Sequence, residues 1–248
     1  MTQRYCPKCG TILNIQSYPT VVANCPECYW IGGPDDWTGG HGPTRSPYVS
    51  IDLETTGTDA SFCQVLEFGA VIDNWSLPIN QLPQFRRYIR PHDTIDGEPY
   101  IYGQPFALAL NAEIIRKLDS NDPADDAWIC SEESLGSQFA AWLQEHNIDP
   151  LHITAAGKNF SSFDLQFLKQ VHGFSEHVRF WRRAIDPAIF YWQPDSDTEL
   201  PSTKICLKRA GLDDNVAHTA IEDCISIIQL IRHGVKKCQL SVSEKNTT

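Results

Sequence analysis

The sequence predicts an α/β fold: one mixed β-sheet flanked by helices, preceded by a small cysteine-bearing module. Three observations carry this. Strand-like segments come as a run between residues 48 and 91, then alternate with helix-like segments. The run fits antiparallel pairing, and the alternation fits parallel crossovers. Two C-x2-C pairs stand in the first thirty residues. Between the two parts lies "GGPDDWTGGHGPTRSP", Gly32 to Pro47, which is rich in glycine and proline and reads as a linker. Trp37 is its one large apolar residue, suited either to pinning the linker or to a loose surface position.

The bulk numbers set bounds. A chain of 248 residues with 42% hydrophobic residues can hold one ordinary domain with a core, plus a small module. No run of eighteen apolar residues occurs, so no membrane-spanning helix and no membrane partner are expected. The start, "MTQRYCPKCG", lacks the apolar stretch of a secretion signal, so the expected location is cytoplasmic. The formal net charge of −11 excludes a protein that coats long duplex nucleic acid by charge alone. It does not exclude an enzyme whose acidic site works through bound cations, because these invert the local sign. The expected boundaries are 1–31 for the module, 32–47 for the linker, 48–240 for the main domain and 241–248 for a flexible tail.

The module comes first. Cys6, Cys9, Cys25 and Cys28 form C-x2-C, fifteen residues, C-x2-C. Four thiolates suit tetrahedral zinc. About thirty residues cannot bury enough surface to fold unaided, so a structural zinc ion is expected to supply the missing free energy, two disulfides or redox pairs being the other reading. The pattern resembles a zinc ribbon over residues 5 to 30. Arg4, Lys8 and Arg45 are balanced by Glu27, Asp35 and Asp36, so there is no basic patch. A protein-docking role and a nucleic-acid role both remain open for it. The other cysteines, Cys63, Cys130, Cys206, Cys224 and Cys238, are scattered and expected as free thiols.

The main domain follows in order. "YVSIDLETTG", "QVLEFGAVID" and "FRRYIRP" read as three strands. Residues 92–110 show no clear period and are expected as a loop. "NAEIIRKL" and "SEESLGSQFAAWLQEHN" read as helices, the second with Leu135, Phe139, Trp142 and Leu143 on one face. "LHITAAGKN" reads as a buried strand and "SSFDLQFLKQV" as a helix. "RFWRRAIDPAIFYW" reads as a strand plus a short helix, with Asp186 capping at Pro187. "STKICLKRAG" is expected to end at Gly211, and "TAIEDCISIIQLIRHG" at Gly234.

Asp52 and Glu54 are two apart in a strand, so they share a face, while Ile51 and Leu53 face the core. The turn after them puts both carboxylates at the strand's C-terminal end, where sites form in sheets with parallel strands. In "GKNFSSFD", Ser161 is expected to cap a helix, placing Asp164 at its third position. In "VAHTAIEDC", Thr219 and Glu222 read as a capping box that fixes a helix start. His218 then lies on the entering loop and Asp223 on the first turn.

Each of these parts is ordinary alone. Their joint order, D-x-E, then F-D after a strand, then H-x4-D, resembles the DEDDh family of 3′-to-5′ exonucleases, which includes proofreading exonucleases, ribonuclease T and oligoribonuclease. The resemblance covers roughly residues 47 to 235. It implies a ribonuclease H-like sheet and two Mg2+ or Mn2+ ions held by Asp52, Glu54, Asp164 and Asp223, with His218 as general base. It also implies that a DNA or RNA 3′ end is the partner. The backbone from Leu53 through Thr55 to Thr56 would hold the terminal nucleotide. Phe163, or aromatics of the 98–106 segment, would stack on bases, although Phe163 equally suits the core. Four convergent carboxylates repel one another unless divalent ions, which favour oxygen ligands, lie among them. The readings to separate are a DNA exonuclease, an RNA-trimming or oligoribonucleotide-degrading enzyme, and a non-catalytic zinc-ribbon adaptor that binds nucleic-acid ends. Glu67 is expected as a structural polar contact. The run "RFWRRAI" suits either a strand-guiding surface or a solvated strand end.

Overall fold

The structure is a computed structural model. It describes residues 4–5, 14–16, 22–24, 31–32, 38–39, 47–120, 122–213 and 219–245, with side chains for 47–97, 100–120, 122–213 and 219–238. The chain divides into two compact units, Met1–Ser46 and Pro47–Thr248.

In the first unit, β2 (Asn14–Gln16), β3 (Val22–Asn24) and β4 (Ile31–Gly32) form an antiparallel three-stranded sheet. A separate antiparallel pair joins β1 (Arg4–Tyr5) to β5 (Thr38–Gly39). Strand β5 falls inside the Gly/Pro-rich segment, so part of the expected linker contributes a strand to this unit. Cys6, Cys9, Cys25, Cys28 and Trp37 lie outside the described residues.

The second unit is built on β6 (Val49–Thr55), β7 (Val65–Ile72) and β8 (Gln84–Arg90), the three strands that the alternating apolar pattern predicts. They pair antiparallel in sequence order. Two short strands complete a five-stranded sheet in the order β11-β8-β7-β6-β12. Strand β11 (Ile129–Ser131) runs parallel to β8, and β12 (Ala155–Ala156) runs parallel to β6. The sheet is therefore mixed, as the order of segments predicts. The register shifts between Glu54 and Thr55, so β6 and β7 part with a bulge at the end that carries Glu54.

Helix α4 (Glu132–Glu145) covers one face. Its Phe139 meets Phe68 of β7 and Phe85 of β8, with ring centroids 4.8 and 5.4 Å away. Phe174, on the short α6 (Phe174–His177), joins the same cluster. Each fully buried ring contributes about 1.5–3 kcal/mol, so this face supplies a large share of the stabilisation. The opposite face is covered by α8 (Ala220–Lys245), whose Ile227, Ile228 and Ile231 pack with Val71. With helices on both faces, every residue of β7 is buried. Helix α2 (Ala112–Asp119) packs Ile114 and Leu118 against Leu66 and Tyr88. Helix α7 (Thr203–Ala210) ends at Gly211 with φ 68°, as predicted.

Four expectations need correction. The strand expected within "RFWRRAIDPAIFYW" does not form, and Phe180 and Ile185 make only isolated bridges, to Ile153 and Ala156. The 92–110 segment is not all loop: it holds a hairpin, β9 (Thr94–Ile95) with β10 (Glu98–Pro99), and the helix α1 (Pro105–Leu110). Pro105 starts that helix where a missing N–H costs nothing, and six residues are too few to show a period. The helix expected to stop at Gly234 runs on to Lys245. Gly234 is a packing glycine: a Cβ there would lie 2.6 Å from the Phe190 ring. The segment after Asn159 also turns differently. Asn159 takes the corner with φ 57°, and Ser161 does not cap α5 (Asp164–Leu168), which starts at Asp164 itself.

Candidate active site

The site forms where β6 ends. Asp52 pairs with Gly69 and Glu54 with Glu67 across the antiparallel register, while Ile51 and Leu53 lie in the core on the α4 side. Gly69 permits the next step. A Cβ on it would sit 2.7 Å from both the carbonyl carbon and the Cβ of Ala220, so the first turn of α8 can rest directly on β7. Thr219 fixes that turn: its hydroxyl donates to the Glu222 carboxylate at 2.6 Å, and its carbonyl accepts from the Asp223 N–H at 3.1 Å. Asp223 is thereby delivered over β6. One carboxylate oxygen each from Asp52, Glu54 and Asp223 lie within 4.8 Å of one another. All three side chains are partly exposed, so the cluster opens to solvent.

Asp164 approaches from the other side. Successive N–H groups of a strand point alternately to its two neighbours. Val49 donates to Thr154 on the β12 side, so Leu53 points that way too, beyond the end of β12. The Asp164 carboxylate accepts the Leu53 N–H and its own N–H. It is buried, at 3% exposure.

The charges are in conflict. Burial, then Asp164, Asp223, Glu54 and Glu67 in turn, hold the Asp52 carboxyl well above its ordinary range. Burial, followed by Glu67 and Asp223, raises Glu54 to about 7, against a hydrogen bond from Asn111. Burial raises Asp164 to about 7 against its two N–H donors. An all-oxygen set with carboxylates close enough to share a ligand, raised by burial and, for Asp52 and Glu54, by their neighbours' charges, fits hard divalent cations such as magnesium or manganese. Zinc prefers nitrogen and sulfur.

Glu67 is structural in its contacts. It is fully buried, with Arg86 Nε 2.6 Å from Oε1, and the Ala220 backbone favours its charge against the burial that raises its pKa. It thus ties β8 and the start of α8 to β7. Asn111 escaped sequence reading because an asparagine before an amphipathic helix looks like an ordinary cap. It caps nothing with its side chain. Its amide instead donates to the Thr55 carbonyl at 3.0 Å and to Glu54. The loop before it is drawn onto β6 by the Gln104 N–H, which donates to the Thr56 carbonyl at 2.7 Å. Gly103 fits beneath, where a Cβ would lie 2.2 Å from that same oxygen.

The remaining predicted residues are placed as follows. The Thr55 hydroxyl donates to the Gly57 carbonyl at 2.7 Å, and the Thr56 hydroxyl accepts from the Gln64 N–H at 2.8 Å. Phe163 is half-buried, with its ring 5.1 Å from that of Phe167. On α1, Phe106 and Leu110 stand one turn apart beside Asn111, 80% and 52% exposed. Asp186 caps Ala188 at 2.9 Å, as expected. His218 lies outside the described residues.

No protein-family model matches the sequence, and no curated protein matches it. Solved structures do. E. coli exonuclease I in complex with a dT13 oligonucleotide aligns with a TM-score of 0.51 at 18% identity, over 81% of this chain and 43% of that one. A second exonuclease I structure gives 0.51 at 16%, over 78% and 41%. A zinc-bound complex of the E. coli enzyme with single-stranded DNA gives 0.50 at 18%, over 81% and 42%. The chain thus spans less than half the length of these proteins. What it shares with them, at such identities, is the fold: a mixed α/β sheet of the exonuclease I type. Among the described residues no helix is long and apolar enough to cross a membrane.

Proposed function

We propose that this chain is a divalent-metal-dependent 3′-to-5′ exonuclease that releases nucleoside monophosphates from single-stranded DNA. The observation that carries the reading is the convergence of Asp52, Glu54 and Asp223, with Asp164 at the same end of β6. The exonuclease I fold supports it, and the solved E. coli exonuclease I complexes hold a dT13 oligonucleotide or single-stranded DNA.

Asp52, Glu54, Asp164 and Asp223 would hold two magnesium or manganese ions. Such ions lower the pKa of an attacking water and stabilise charge on the leaving oxygen. The chain's own groups do the rest. Asn111 orients Glu54, and the N–H of Leu53 orients Asp164. His218 accepts the proton of the attacking water, a task suited to a group that titrates near neutrality. The strand end from Leu53 through Thr55 to Thr56 holds the terminal nucleotide through its backbone, and Phe163 and Phe106 offer apolar faces to its base. The cysteine module is read as a zinc ribbon, on the spacing of Cys6, Cys9, Cys25 and Cys28. Purified full chain should carry zinc, and Cys25→Ser should lose it.

The test is digestion of 5′-labelled single-stranded DNA with magnesium or manganese. The expected result is a ladder shortening from the 3′ end, abolished by chelator and reduced at least a thousandfold in Asp52→Ala. Chelator-insensitive cleavage, or full activity in Asp52→Ala, overturns the reading. Binding of 3′ ends without turnover in the presence of metal marks an adaptor instead. Faster loss of a matched oligoribonucleotide marks an RNA-trimming enzyme.

A further inference from the structure

A groove between α5, α6 and residues 178–182 carries charge that the chemistry above does not use. Its volume is about 360 Å³. Its lining includes the apolar Leu168, Phe174, Val178 and Phe180, together with Leu165, the residue after Asp164. Lys169, Arg179 and Arg182 stand along it with Trp181, and no carboxylate lines it. In a chain of net charge −11, that is a local reversal of sign. Elsewhere Arg86, Lys117, Arg209 and Arg232 each pair with a carboxylate. Among the described residues Lys169, Arg179 and Arg182 have no such pairing.

The segment that presents these groups is held in place. Arg179 N–H donates to the Pro150 carbonyl at 2.8 Å, its carbonyl accepts from Ile153, and Trp181 N–H donates to the Ile153 carbonyl at 2.8 Å. The Trp181 side chain is 56% exposed, and His152 lies against its ring with centroids 5.0 Å apart. Asp149 in turn holds His152 at 2.6 Å. An ordered, exposed indole among unpaired cations is suited to a chain of alternating phosphates and flat bases. Phe180 bridges Ile153, just before the Ala155 that pairs with Val49, so residues 178–182 stand toward the start of β6, and a strand held at Asp164 must extend from the end of β6 toward that start to reach them.

We infer that the groove between α5, α6 and residues 178–182 is a second binding site for the substrate strand, gripping nucleotides upstream of the 3′ terminus. The inference rests on the exonuclease reading for its choice of ligand. A long strand then bridges both sites and is held more tightly than a short one, whereas a dinucleotide reaches only the carboxylates.

The experiment uses the full chain and two variants, Arg179→Glu/Arg182→Glu and Trp181→Ala, all at exposed positions. Binding of fluorescein-labelled dT20 is measured by anisotropy in chelator, where no cleavage interferes, across a salt series. Turnover of dT2 is measured with manganese. The double variant should weaken dT20 binding at least tenfold and lower the salt slope by about 1.4, at about 0.7 per single-strand phosphate contact. Trp181→Ala should weaken it at least fivefold, the low end for lost base stacking. Turnover of dT2 should stay within twofold for both. Unchanged dT20 affinity and slope overturn the inference, as does an equal loss on dT2. So does an Asp/Glu-rich peptide that loses binding in these variants while dT20 does not, which would make the groove a peptide surface. If the unsubstituted chain binds dT20 through these residues but releases no nucleotide, the exonuclease reading fails and the groove stands.

Discussion

Gly69 is the register partner of Asp52, and it is the residue on which Ala220 rests. One missing side chain therefore sets how far α8 stands from β6, and with it the reach of Asp223. Gly69→Ala puts a methyl group 2.7 Å from the Ala220 backbone, so the first turn of α8 must rise. We expect a stability loss of about 1–3 kcal/mol in urea unfolding, as for an overpacked core. Manganese-dependent activity should fall by a larger factor, at least a hundredfold. Activity preserved in a destabilised Gly69→Ala would show that the helix position does not govern the site.

Proton binding gives the second prediction. The folded chain holds Glu54 and Asp164 at about 7, and Asp52 high as well, whereas carboxylates of an unfolded chain titrate near 4. Between roughly pH 4 and 7 the folded state thus binds more protons than the unfolded state, and stability falls as pH rises. In chelator, Tm should drop between pH 5.5 and 8. Asp52→Asn should flatten that slope, and manganese should raise Tm more at pH 8 than at pH 5.5. A metal-free Tm that holds steady or climbs across this range contradicts the arrangement.

Asn111 offers a third. Asn111→Ala removes a donor from Glu54 and leaves the buried Thr55 carbonyl unpaired, which costs about 1–3 kcal/mol. The manganese concentration needed for half-maximal activity should increase several-fold. An unchanged metal requirement would show that Glu54 needs no orienting partner.

The middle of α8 provides a control. Asp73 is fully buried and accepts from Arg232 Nε at 2.9 Å and Nη2 at 2.5 Å. The same guanidinium reaches the carbonyls of Asn74 and Leu77 and lies over Trp75. Arg232→Ala would strand a buried charge, a loss of about 3–5 kcal/mol. Activity per folded molecule should stay near that of the unsubstituted chain, because the pair is remote from Asp223 along the helix.

The parts of the fold that the sequence made legible are those with long, regular patterns. Strands β6 to β8 and helices α2, α4 and α7 each have enough residues for a period or a cap to be read. The short pieces were not legible. The stretch "RFWRRAIDPAIFYW" reads as holding a strand, yet it touches the sheet only through isolated bridges at Phe180 and Ile185. Gly234 looked like a helix stop because a contact with Phe190 leaves no local mark. At the site, the convergence of Asp52, Glu54 and Asp223 could be anticipated from strand alternation and a capping box. Asp164 was expected at the third position of a Ser161-capped helix, but it begins α5. Asn111 was missed because its partners, Glu54 and Thr55, are more than fifty residues away in the chain.

Strand β12 pairs with β6 through only two residues, and it stops before reaching Leu53. A longer β12 would make a tidier sheet and take up the Leu53 N–H. Asp164 would then have no berth beside Asp52. The sheet is left unfinished at the rung where the start of α5 docks a carboxylate. Substitutions that extend β12 should thus produce a protein that is harder to unfold and poorer at capturing cations.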